Sequence, residues 1–260
     1  MRYDLLHFPG PGPLYLRDLT ARVELAVEGT SPFDAIALVD ALLMDRPGGV
    51  LRPGEAARMA VADRDRLMAQ LHLAEFGSRI AGDRTCAACE ARFSFDFDLG
   101  DLLGALKPSR DVERLEEGWL MAEGGIRFRL PNGEDERAGA AGGPRAGEVI
   151  ALRCLPEGET EHVAKIAEIA EAVAPLVDLT LRTQCPECGA DHTMAFNAEA
   201  YCLGALRARR ARMMSDIHLI ASRYGWSFGA IVDLPQNHRR GFVDQINRDR
   251  EAARRTRRLG

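Results

Sequence analysis

Two Cys-x-x-Cys pairs carry the most specific chemistry in this sequence. They are Thr85-Cys86-Ala87-Ala88-Cys89-Glu90 and Gln184-Cys185-Pro186-Glu187-Cys188-Gly189. A two-residue gap lets both sulfurs of a pair face one ion while the amides of the turn point back at them, and two such knuckles complete the tetrahedral thiolate set that Zn2+ favours. Strand-forming residues flank each pair. Phe93, Phe95 and Phe97 after Cys89 are echoed by Met194 and Phe196 after Cys188, a weak internal repeat. The pattern predicts one structural zinc ion held by Cys86, Cys89, Cys185 and Cys188. The interval from Cys89 to Cys185 is far wider than the roughly 15–20 residues of a compact four-cysteine site, so the ribbon must be discontinuous and carry a folded insertion. Four thiolates fill the tetrahedron and leave no position for water or substrate, which argues against catalysis at the metal.

Other readings of the cysteines stay open at this level. Two separate buried thiol pairs would satisfy the same residues, and so would a redox pair. A thioredoxin-like pair, however, sits between a strand and the start of a long helix, whereas both pairs here lead into turn and strand patterns. Cys154 and Cys202 lie within apolar stretches and read as core residues. His192, four residues past Cys188, is the one credible substitute ligand. The remaining histidines have no spacing to a Ser or Asp partner that would support a hydrolytic triad. Asp96, Asp98 and Asp101 lack the Gly and terminal Glu of a calcium loop and read as a solvated strand face.

The elements that must position these thiols come from a chain of 260 residues with 46% apolar composition, enough for an ordinary buried core. No apolar run reaches the roughly 18–20 residues of a membrane span, and the opening residues show no signal-peptide pattern, so a cytoplasmic protein is expected. The formal charge of -5 hides an uneven distribution: Arg207 to Gly260 holds 13 Arg and no Lys against 5 acidic residues, so the rest is acidic. Only Lys107 and Lys165 are lysine, which reads as a composition bias.

Pro9, Pro11 and Pro13 predict an extended arm, and the alternation Ala21-Arg22-Val23-Glu24-Leu25 a short strand. Ser31-Pro32 opens a helix to about residue 44. After the break at Arg46 to Gly54, a second helix runs from Asp63 to a stop at Gly77. Phe93 to Leu99, Ile126 to Leu130 and Val149 to Cys154 read as strands, with a mobile loop from Asn132 to Gly147. Thr160 caps a helix carrying Val163, Ile166, Ile169 and Val173, and Leu179 to Arg182 is a strand. Asn197 caps a long helix to Tyr224, with Arg210 in its apolar seam and Gly225 at its end. A turn from Trp226 to Pro235 precedes a last helix with Phe242, Val243 and Ile246 on one face and a charged end that frays. The fold class is therefore α+β: residues 1–81 an N-terminal arm and helical region, 82–197 the zinc ribbon with its inserted strands, loop and helix, and 198–260 a C-terminal helical region.

The order of these features resembles the baseplate hub assembly proteins of contractile-tailed bacteriophages and phage-tail-like injection particles. The likeness spans roughly residues 60 to 250. It rests on Ala62-Asp63-Arg64-Asp65-Arg66-Leu67 with Gly77, the two knuckles, Arg127-Phe128-Arg129-Leu130-Pro131, and Leu152-Arg153-Cys154. It continues through Ile217 to Ala221, Tyr224-Gly225-Trp226-Ser227, Ile231, Leu234-Pro235 and Arg239-Arg240, an ending also similar to some tail assembly chaperones. The resemblance implies a non-enzymatic structural or assembly protein whose partners are baseplate or tail subunits, with no small-molecule substrate. Trp226, Phe228 and Ile231 beside the Arg pair give the aromatic-plus-Arg mix favoured at interfaces, although Trp226 could equally staple two helices. A zinc-ribbon nucleic-acid-binding protein, motivated by the Arg-rich end, is the alternative. The acidic remainder and the lack of basic residues around the knuckles place it second.

Overall fold

Short antiparallel hairpins alternate with helices along the chain. The computed structural model describes residues 1–7 and 10–259, with side chains through Arg255. Pro9 of the expected arm lies outside them; the rest of the arm is a hairpin, β1 (Arg2–Leu5) against β2 (Gly12–Tyr15). The segment expected to be a strand at residue 21 is instead a helical turn, α1 (Ala21–Leu25). Five alternating residues also place Ala21 and Glu24 on one helical face, and both are buried. The Glu24 carboxylate is held by Arg209 at 2.7 Å and Arg239 at 3.5 Å, partners that lie 185 and 215 residues away in sequence.

Helix α2 (Pro32–Leu42) starts as expected, with Ser31 and Asp34 forming a capping box and Pro32 in the first turn. Helix α3 (Val61–Phe76) ends at Gly77, whose φ of +89° suits glycine. Strands β3 (Arg79–Thr85) and β4 (Arg92–Asp98) pair antiparallel and lead into α4 (Leu99–Ala105). A three-stranded sheet in the order β5 (Glu113–Arg114), β6 (Trp119–Ala122), β7 (Ile126–Arg129) follows.

The next two expectations are overturned. Residues 132–147, expected to be a mobile loop, hold α5 (Gly133–Ala141), capped reciprocally by Asn132 and Asp135. Gly and Ala give little sequence signal there, but Asp135 is fully buried and bonds Arg129 at 2.6 Å and Arg153 at 2.8 Å, which fixes the first turn. The stretch Val149–Cys154 is not a strand: Val149 to Arg153 lie in α6 (Ala146–Arg153), packed on α5, and Cys154 ends that helix. A short apolar run does not distinguish strand from helix by periodicity. Helix α7 (Val163–Val173) has no side-chain cap; Thr160 contributes only its carbonyl, to the Val163 amide.

Strands β8 (Asp178–Gln184) and β9 (Asp191–Asn197) form the second long hairpin. Asn197 caps the following helix as expected, accepting from the Ala200 amide at 2.8 Å. That helix is two: α8 (Ala198–Ala208) and α9 (Arg210–Tyr224). The break falls at Arg209, whose guanidinium reaches Glu24 and Glu75, while Arg210 bonds the carbonyls of Leu25 and Val27. The arginine expected in an apolar seam therefore caps the end of α1. Gly225 is left-handed as expected, α10 (Phe228–Val232) occupies part of the expected turn with Ser227 as its cap, and α11 (Gln236–Leu259) is helical through its charged end.

The cores do not follow the divisions at residues 81 and 197. Leu5, Leu14, Leu38, Leu67 and Met68 share one cluster with Cys202, Leu203 and Leu206 of α8, and Ala21 packs with Met213, Ile217, Ile220 and Ile246. No helix among the described residues is long and apolar enough to cross a membrane.

Candidate metal centre

The two knuckles are the tips of two hairpins of equal build. Each has seven residue pairs in continuous register, Arg79↔Asp98 to Thr85↔Arg92 and Asp178↔Asn197 to Gln184↔Asp191. In each, the amide of the first cysteine donates at 2.9 Å to the carbonyl five residues on, Ala91 or Ala190. The carbonyl of that cysteine accepts at 2.9 Å from the amide four residues on, Glu90 or Gly189. This closure puts Glu90 at φ +61° and Gly189 at φ +74°. The last strand residue then caps a helix, Asp98 bonding the Asp101 amide as Asn197 bonds that of Ala200. All these landmarks of the first hairpin recur 99 residues later.

Contacts between the hairpins come in reciprocal pairs. The Cys86 and Cys188 sulfurs are 3.6 Å apart, and the counterpart pair, Cys185 and Cys89, is 3.8 Å apart. Phe93 meets its own counterpart His192 with ring centroids at 5.3 Å, and Phe97 meets Phe196 at 5.0 Å. Self-matching contacts of this kind are what an approximate twofold relation produces. The four Sγ atoms lie within 4.8 Å of one another. A tetrahedron of thiolates about 2.3 Å from an ion has edges of about 3.8 Å, which the two cross-hairpin contacts match, so the cluster could hold a metal ion.

Cys86 and Cys185 are buried beside Phe93 and Ala190, whereas Cys89 and Cys188 are exposed. Burial opposes ionisation of Cys86, but the amides of Ala88 and Cys89, with His192 and Cys188, outweigh it and bring the thiol down to about 6. The Ala91 amide favours ionised Cys89, yet neighbouring Cys188, burial and the other two sulfurs push it up to about 12. Sulfurs this close resist sharing negative charge, and a divalent cation at their centre would relieve the repulsion. The His192 Nε2 lies 3.3 Å from the Cys86 sulfur. It stands outside the four-sulfur set, where it can orient that sulfur by hydrogen bonding. Cys154 and Cys202 are buried away from the cluster, each pushed up to about 12 by burial. Asp96 pairs with Arg79, and Asp98 and Asp101 belong to the α4 cap.

The Asp63-Arg64-Asp65-Arg66 stretch that carries part of the sequence resemblance forms a second buried arrangement, whose long-range partners the spacing does not reveal. Within one turn of α3, Asp63 accepts from the amides of Leu6 and His7 at 2.9 Å. Arg64, fully buried, pairs with both Glu136 of α5 and Glu199 of α8 at 2.7 Å. Asp65 accepts from the Val177 amide at the entry to β8, and Arg66 donates to the Leu106 carbonyl at 2.6 Å. Four consecutive charged residues span a whole helical turn, so they cannot all share one solvated face; that was the available signal. The turn ties the N-terminal hairpin, α4, α5, β8 and α8 to one another, and thereby sets the two knuckle hairpins on a common base.

Trp226 and Phe242 meet edge-on with centroids 5.0 Å apart, and Tyr224 packs on both, so Trp226 does staple helices. It also remains 39% exposed and Phe228 53% exposed, while Ile231 is buried. Of the Arg pair, Arg239 is buried on Glu24 and only Arg240 faces solvent.

Fold and site together define an α+β protein in which four clustered cysteines from two hairpins could hold one metal ion. Comparison with protein-family models, curated proteins and solved structures finds no match in any of the three.

Proposed function

We propose that this chain is a non-enzymatic structural or assembly protein in which one zinc ion on Cys86, Cys89, Cys185 and Cys188 joins the two hairpins. The observation that carries the zinc reading is the pair of cross-hairpin sulfur contacts, 3.6 and 3.8 Å, set against the edge of about 3.8 Å that a zinc tetrathiolate requires. With every corner taken by a thiolate, the metal contributes folding energy and not turnover. The setting we propose is the baseplate of a phage-like contractile tail or injection particle. It is supported by the sequence resemblance, whose Asp63-Arg64-Asp65-Arg66 motif is the turn on which the hairpins are based. Trp226 and Phe228 offer partially exposed aromatic surface for a partner subunit.

Elemental analysis of the purified protein is expected to find a single equivalent of zinc, with all four knuckle thiols protected from titration until a chelator is added. Thiols that titrate freely in untreated protein would favour an oxidoreductase instead. Pull-down from the native host is expected to recover baseplate or tail subunits. Genomic surroundings without sheath, tube or baseplate genes would count against the setting while leaving the metal reading intact.

A second reading, a zinc-ribbon nucleic-acid-binding protein, is favoured by one observation. Residues 247–255 of α11 are exposed on every side and include Arg248, Arg250, Arg254 and Arg255. Such binding would weaken steeply with salt. If nucleic acid fails to shift the protein even at low salt, that reading is excluded.

A further inference from the structure

A groove of about 340 Å3 opens between α6 and α7. Gly147, Ile150 and Ala151 form one wall, and Ala167, Ala170 and Ala174 the other. Both sets follow helical spacing, so each helix turns an apolar face toward the gap. Ile150 apart, the residues named on the two walls are glycine and alanine, which leaves room for bulky apolar groups to enter from outside. Inside, the one thiol among the lining residues, Cys154, is buried and offers only a weak donor. A polar small molecule would find few partners there.

Charge narrows the choice of occupant. Residues 146–178, which build both helices and their connection, contain seven acidic residues against Arg153 and Lys165. Glu171 and Asp178 lie on the groove itself. An anionic lipid or a nucleic acid would meet repulsion at this rim. The chain's own basic helix α11 already uses its apolar residues Phe242, Val243 and Ile246 against α9 and α10, so among its described side chains no bulky apolar face is left to fill the groove. We propose that the groove receives a basic amphipathic helix of a partner protein, its apolar side chains seated between α6 and α7 and its Lys or Arg residues against the acidic rim. This holds whether or not the knuckles bind zinc.

The test uses the full-length protein and three fluorescein-labelled peptides of about 18 residues, long enough for five helical turns. One carries Leu at i, i+3, i+4, i+7 spacing with Lys elsewhere, one is its scramble, and one replaces Lys with Glu. Fluorescence anisotropy at low salt is expected to show the Leu/Lys helix binding about tenfold or more tighter than either control. Ala170→Trp, which fills the groove, is expected to weaken it about tenfold, and Glu171→Lys about threefold. If Ala170→Trp fails to fold, Ala167→Arg at the exposed edge of the same wall serves in its place. Equal affinity for the scramble, or binding unchanged by the groove-filling substitution, overturns the proposal. Salt-sensitive self-association in sedimentation experiments that competes with the peptide would assign the groove to a second copy of this chain and overturn the partner assignment.

Discussion

Phe97 and Phe196 stand at the same register position of two hairpins and pack against each other edge to face, with ring centroids 5.0 Å apart and planes at 86°. A residue that contacts its own counterpart lies near a twofold relation, and the four sulfurs straddle that relation too. The four-sulfur cluster is thus an interface between two like modules within one chain. Each module contributes two thiolates, and neither can complete a tetrahedron alone.

Loss of one thiolate should therefore release both hairpin tips. Cys188→Ser is expected to lower bound metal well below one equivalent and to reduce stability by a large part of the roughly 10 kcal/mol that a structural zinc can supply. Cys202→Ala removes a buried thiol outside the cluster and should retain full metal occupancy. Elemental analysis with thermal unfolding checks both; full metal binding by Cys188→Ser would refute the assignment of that ligand.

The twofold relation pairs Glu90 with Gly189, both left-handed. A side chain at this backbone conformation costs about 1 kcal/mol that glycine avoids, offset in part by the greater chain entropy of glycine when unfolded. Glu90→Gly is expected to stabilise the protein by about 0.5 kcal/mol, and Gly189→Ala to destabilise it by about 1 kcal/mol. Chemical denaturation of the metal-loaded protein measures both signs, and a destabilised Glu90→Gly would contradict the strain argument.

Arg64 is fully buried between Glu136 and Glu199. Its removal leaves two carboxylates without their cation, Glu199 almost wholly buried, so Arg64→Met is expected to cost about 3–5 kcal/mol. Combining it with Glu199→Gln should recover part of that loss, because one uncompensated charge disappears. A double variant no more stable than the single one would show that Glu199 is not the group left stranded.

Burial, reinforced by nearby Glu199, pushes Asp65 up to about 7, against the opposing pull of the Val177 amide and Arg64. One of its carboxylate oxygens, Oδ1, is buried without a hydrogen-bond partner. Because the folded value lies above the unfolded value of about 4, the native state holds the extra proton. The contribution is fully present below about pH 4 and is lost as pH rises through about 7. Asp65→Asn, neutral at every pH, should gain relative to the wild type across that window by an amount on the order of 4 kcal/mol. Parallel stability-versus-pH curves for the two proteins would show that Asp65 does not titrate there.

Features governed by local chemistry were legible in the residues alone. The Ser31 and Asn197 caps, the Gly77 and Gly225 stops, and the alternating strand after Cys89 depend on neighbouring residues, and the structure bears out each as an element. What sequence spacing could not reach was partnership at long range. Cys89 and Cys185 lie 96 residues apart, yet their sulfurs meet at 3.8 Å, and the full correspondence of the hairpins is hidden because backbone bonds repeat where side chains have diverged. The helices α1, α5 and α6 read as strand or loop because their local preferences are weak. Glu24 and Asp135 hold the first two through arginines that only the tertiary fold brings near, and α6 is held by its packing on α5. Buried charge is costly unless paired, so the positions of those partners, and not local propensity, decided what these segments became.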